Sequence, residues 1–211
     1  MTIQQLLCRL LPALAFCAAA HAQERLAPIT ADQYTGEQRD VVAEVAKGPR
    51  TEMFSPLLPM LRSPQLAYTA ERFGETVYYT STLDKPIYEL TVLLLARQTM
   101  QQFEWRVHYT NAIKVGIAQE DVEAIGAGRR PAHLTDDERI AYDFVVDLFK
   151  FNQVSDAHYA KFQSRFGDRA VVDLVGLLGY YETIAIMMNV NRTALNPGTA
   201  PLLKPLPKPF P

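Results

Sequence analysis

One stretch narrows the choice of fold more than any other: Ile87-Tyr88-Glu89-Leu90-Thr91-Val92-Leu93-Leu94-Leu95-Ala96, opened by Asp84-Lys85-Pro86. Proline at the first turn is a helix start, because its ring fixes φ and its missing N–H is one the first turn leaves unbonded anyway. Wound as a helix, the stretch is apolar nearly all round, interrupted chiefly by Glu89. Such a helix has no face for water and has to be enclosed by other elements. The rest of the chain must supply that enclosure.

It supplies helices. Thr35 to Lys47 carries Val41, Val42, Val45 and Ala46 at helical spacing and stops at Gly48-Pro49. Ser63-Pro64 reads as a cap with proline at the first helical position, opening a helix to about Thr80 with Leu66, Ala70, Phe73 and Val77 on one side. Gln101 to Val115 forms another, stopped by Gly116, and Gln119 to Ile125 a short one, stopped by Gly126. Thr135 with Glu138 makes a capping box for a helix to about Phe149. Ser155 caps Asp156 to Phe166, Gly167 interrupts, and a long apolar helix follows from Val171 to about Asn191. No segment alternates with the period of 2 that a half-buried strand needs. The expected fold is all-α, a single-domain helical bundle over residues 23–196.

The two ends differ from this body. Residues 1–22 place Arg9 before an apolar run, Leu10 to Ala20, and close on Ala20-His21-Ala22, the layout of a secretory signal peptide. The run falls short of the about 20 residues a membrane span needs. The expectation is export to the periplasm or medium, with no membrane association after cleavage. Both cysteines, Cys8 and Cys17, lie inside this leader, so the mature chain would hold none. At the other end, residues 197–211 are dense in proline and read as an extended tail, with Leu202, Leu203, Leu206 and Phe210 as its means of lying against the body or a neighbouring subunit. The net charge of −2 provides no basic surface for nucleic acid.

The long apolar helix runs into Gln101-Gln102-Phe103-Glu104-Trp105-Arg106-Val107-His108. With Glu89 before it, Gly116-Ile117 after it, and the later Val154-Ser155-Asp156, Phe166-Gly167 and Gly179-Tyr180-Tyr181-Glu182, this arrangement resembles the carboxymuconolactone decarboxylase / alkylhydroperoxidase-D-like family. The likeness covers roughly residues 63–201. It implies an all-helical fold and a homo-oligomer, trimeric or a multiple of that. The family's redox branch carries a glutamate, a C-x-x-C and a histidine. Here Glu89 and His108 match, while Gln101 and Glu104 stand at the cysteine positions. The chain is thus similar to the Glu-Trp-x-x-His branch, and thiol peroxidase chemistry is disfavoured, because it needs a thiolate.

Glu104 and His108 are one helical turn apart and share a face. A carboxylate beside an imidazole raises its pKa and fixes which ring nitrogen carries the proton. Glu89, in an apolar helix, would be desolvated and its pKa pushed up, which suits a proton relay. His108, Glu104 and Glu89 are therefore the expected catalytic group, acting on a small-molecule substrate such as an organic acid or lactone. Neither Glu104 nor His108 is expected to carry the core. Trp105 and Tyr181 are named as substrate-binding residues, against a plainer reading of both as packing residues; Arg97 is the plain alternative partner for Glu89. No cofactor is expected, and no metal, because one histidine with two carboxylates is a thin ligand set. His133 and His158 read as surface residues. Asn191-Arg192-Thr193 fits a glycosylation sequon, relevant only in a eukaryotic secretory pathway.

Overall fold

The computed structural model describes residues 24–195 and 200–207. The expected signal peptide at 1–22, both cysteines, Phe210 and the linker at 196–199 lie outside the described residues. Among the described residues there is no strand. The fold is all-helical: α1 (Gly36–Val45), α2 (Pro64–Tyr79), α3 (Lys85–Thr99), α4 (Gln102–Lys114), α5 (Gln119–Gly126), α6 (Asp136–Phe151) and α7 (Asp156–Asn191), with short 3-10 turns at Ala31–Gln33 and Ser55–Arg62.

α3 is the central rod. Every residue from Ile87 to Arg97 is buried. It packs against α4, α5, α6 and α7, as an all-round apolar helix must. Leu90, Leu93 and Leu94 are fully enclosed, each stabilising the fold by about 1.5–3 kcal/mol through lost apolar exposure. The hydroxyl of Thr91 donates to the Ile87 carbonyl (2.8 Å), so this polar side chain is satisfied within the rod. α3 stops where Met100 takes left-handed backbone (φ 55°) and the Gln101 amide closes back on the Ala96 carbonyl at 2.9 Å. Gln101 then caps α4 by accepting from the Phe103 amide at 2.6 Å. This tight reversal lays the start of α4 beside α3, and the candidate site depends on it.

The capping box expected at Thr135 forms, and the structure shows a second one at Thr35 with Gln38. The expected cap holds also at Ser155, whose side chain accepts from the His158 amide. Ser63 precedes Pro64 as expected but makes no side-chain cap. The apolar side of α2 read from the sequence is buried only in part, at Ala70 and Val77. Leu66 and Phe73 are 54% and 42% exposed, and the helix turns Ala67, Ala70, Glu71, Gly74, Glu75 and Val77 inward. Apolar periodicity misplaced part of this face because α2 buries two carboxylates, and Gly74 leaves the room that Tyr180 occupies.

Gly167 breaks α7 at φ 84°, ψ 168°, a region essentially restricted to glycine. A Cβ there would meet nothing within 4 Å, so only the backbone penalty remains. Gly167→Ala is expected to cost about 1–3 kcal/mol in a chemical denaturation experiment; an unchanged midpoint would contradict the need for this kink. Beyond the kink, Leu174, Leu177, Leu178, Ile184 and Met188 are buried in the core. The opposite side of that arm leaves Val172, Val175, Ile186 and Val190 exposed. By length and composition alone α7 is long and apolar enough to cross a membrane, and nearly half of its apolar part is buried inside the fold.

Candidate functional site

His108 sits between two carboxylates. Its Nδ1 lies 2.5 Å from Glu89 Oε2 on α3, and its Nε2 lies 3.3 Å from Glu104 Oε2 one turn earlier on α4. All three are buried: His108 is 5% exposed, Glu104 2% and Glu89 7%. Both ring nitrogens face an acceptor, so the arrangement is made for the doubly protonated ring. Burial by itself opposes that charge. The hydrogen bonds and negative charge of Glu104 and Glu89 outweigh it, and the His108 pKa is pushed up to about 9. At neutral pH this is an imidazolium. Glu104 also lies in the first turn of α4, where the helix dipole favours an anion. Its other oxygen, Oε1, is buried with no hydrogen-bond partner among the described residues.

Two tyrosines, Tyr181 of α7 and Tyr88 of α3, extend the site. The Tyr181 ring of α7 meets the imidazole edge to face, with centroids 5.2 Å apart. Its hydroxyl shares a 2.9 Å hydrogen bond with the Tyr88 hydroxyl of α3. Burial raises the pKa of both phenols, so both stay protonated. The structure thus brings Glu89, Glu104, His108 and Tyr181 together.

It places Trp105 elsewhere. The indole is 2% exposed and lies against Gly126 of α5, and its N–H donates to the Pro201 carbonyl in the tail at 2.8 Å. Arg97 is not the partner of Glu89: its guanidinium donates to the carbonyls of Gly126 (3.1 Å) and Lys204 (2.8 Å). Gln101, at one cysteine position of the resemblance, donates to Asn189 Oδ1 at 3.0 Å besides capping α4. His133 pairs with Asp121, and His158 with Asp147 at 2.7 Å, both toward the surface. Asn191 is fully buried, its side chain accepting from the Leu26 amide at 2.8 Å and donating to Thr193, so the sequon is not presented at the surface. No group of three or more His, Cys, Asp or Glu side chains is placed to hold a metal ion among the described residues.

Sequence reasoning missed a second polar cluster beside the first. Arg50 Nη1 lies 3.0 Å from Glu71 Oε1 and 3.2 Å from the Tyr180 hydroxyl, while Glu71 Oε2 accepts from the Phe54 amide at 3.2 Å. Tyr180 and Tyr181 touch edge to face at 5.3 Å, which joins the two clusters. Burial pushes the Tyr180 phenol up to about 12 and holds Glu71 above the usual carboxylate range despite Arg50. Glu71 and Glu75, one turn apart in α2, were the available sign, but nothing in the sequence ties Arg50 to them.

Fold and site together define a class: an all-helical protein with a histidine buried between carboxylates of two packed helices. No protein-family model and no curated protein matches the chain.

Proposed function

We propose that this chain is an exported, all-helical, carboxymuconolactone decarboxylase-like protein that performs proton-transfer chemistry on a small organic acid or lactone. The observation that carries the reading is His108 held as an imidazolium between Glu89 and Glu104, with Glu104 Oε1 left without a partner. In a decarboxylation, the bond from the carboxylate carbon to the neighbouring carbon breaks and carbon dioxide leaves. The electron pair stays on that carbon as an enolate-like carbanion. An N–H of His108 gives it a proton, and solvent restores the imidazolium. Glu89 and Glu104 orient the ring and stabilise its charged form before transfer. Tyr181 and Tyr88 exclude water from one side. Because the group is closed to solvent in a single chain, entry of a substrate requires the covering side chains to move.

The exposed apolar side of α7 supports a homo-oligomer, since Val172, Val175, Ile186 and Val190 lie along one helix. A leader ending near Ala22 supports export. Peroxidase chemistry of the thiol type stays disfavoured, since residues 23–211 contain no cysteine.

The test uses carboxymuconolactone and related lactone acids as probes. Where turnover is found, His108→Ala is expected to reduce it about 10²–10⁴-fold. Glu104→Gln is expected to reduce it less and to shift the pH profile, and the two losses should not add. A folded His108→Ala protein with full turnover would refute the assignment. A second reading has its own observation: two clefts, of about 250 and 570 Å³, are lined by residues other than the triad. In that reading the triad is an ion cluster that ties α3 to α4, and the protein binds without turnover.

A further inference from the structure

The segment after the α7 helix does not trail away. Trp105 donates to the Pro201 carbonyl at 2.8 Å. Gln102 reads the Leu203 backbone from both sides, its Nε2 donating to the carbonyl and its Oε1 accepting the amide, each at 2.9 Å. Arg97 donates to the Lys204 carbonyl at 2.8 Å. Leu203 is buried while its neighbours Leu202 and Lys204 are exposed. Among the described residues, every hydrogen bond to 200–204 is made to backbone, and within that span Leu203 and Ala200 alone are buried, so the groove fits an extended segment of this chain.

The residues that grip this segment are the neighbours of the triad. Gln102 and Trp105 bracket Glu104 on the first turns of α4, and Arg97 ends the helix that carries Glu89. Arg97 also holds the Gly126 carbonyl of α5, so one segment ties α3, α4 and α5 together at the α3–α4 reversal, about two turns of α3 beyond Glu89. We propose that residues 200–204 act as a positioning strap, seated on Gln102, Trp105 and Arg97, that holds Glu104 and His108 of α4 against Glu89 of α3. The strap concerns the geometry of the triad and stands whether or not the triad turns over a substrate.

The test is made on the full chain with two spectroscopic readouts. Trp105 is the only tryptophan, so its emission reports whether the segment is seated. The titration of His108 by NMR, assigned by comparison with His108→Gln, reports the triad. The groups that face this ring are Glu89 from α3, Glu104 from its own helix, and Tyr181 from α7, whose hydroxyl is shared with Tyr88 of α3. Leu203→Asp is expected to move Trp105 emission to longer wavelength. It should also lower the His108 midpoint from about 9 by about 1 unit as the carboxylate contacts loosen. Leu202→Asp, at an exposed position, should change neither. Where Leu203→Asp fails to fold by far-ultraviolet circular dichroism, Leu203→Ala and Gln102→Ala carry the same two readouts. A shifted emission with an unmoved His108 midpoint would reduce the segment to surface packing. An unmoved emission would show that it does not seat, and an equal response in Leu202→Asp would assign the effect to added charge. Each of these three results overturns the proposal.

Discussion

His108→Ala is expected to destabilise the folded chain by about 3–5 kcal/mol at neutral pH, the cost of removing one member of a buried ionic group and leaving the others uncompensated. Sequence reasoning had left this residue outside the core; its burial with Glu89 and Glu104 reverses that expectation. The pH dependence follows from the raised pKa. The folded protein binds the proton more tightly than the unfolded chain does, about 9 against an ordinary 6.5. This contribution, about 3 kcal/mol, is fully present below pH 6.5 and is lost as pH rises toward 9. Urea titrations across that window should show wild-type stability falling by up to about 1.4 kcal/mol per pH unit, and His108→Ala should lack this component. A wild-type curve that is flat between these limits would mean that the imidazolium is not held as described.

Arg50→Ala is the second large effect. It leaves Glu71, which has no exposed surface, without its cation and removes the donor to the Tyr180 hydroxyl. A loss of about 3 kcal/mol is expected, because the uncompensated carboxylate remains in the interior. The sign with pH is opposite to that of a surface acid. Burial already raises Glu71, and without Arg50 it rises further, so the variant should recover stability relative to wild type as pH falls and the carboxyl protonates. Replacing both partners with methionine should cost much less than Arg50→Ala, since no charge is then left behind. Equal losses in the single and double variants would assign the effect to packing.

Much of the fold was legible without coordinates. The capping box at Thr135, the Asp84-Lys85-Pro86 start and the Gly167 break are local signals, settled by hydrogen bonds and dihedral limits within a few residues. The α3 rod was equally plain, because ten nearly all apolar residues have only one environment that suits them. The pairing of Glu104 with His108 followed from helical spacing alone. The 3-10 turn at Ser55–Arg62 and the polar part of the inward face of α2 were not legible. The first rests on prolines Pro56 and Pro59 within a short apolar run. The second rests on polar side chains that are buried only because Arg50 and Tyr180 reach them.

The sequence by itself therefore determined which segments are helices, which helix lies at the centre and which two residues of α4 share a face, since each depends on neighbours in the chain. Tertiary structure decided which carboxylate meets the other nitrogen of His108, that Arg97 and Trp105 serve the tail rather than the triad, and that Arg50 joins Glu71 and Tyr180. Those pairings span from 19 to 130 positions. They arise only when helices pack, because a buried donor or charge must take whichever partner the packing brings within reach.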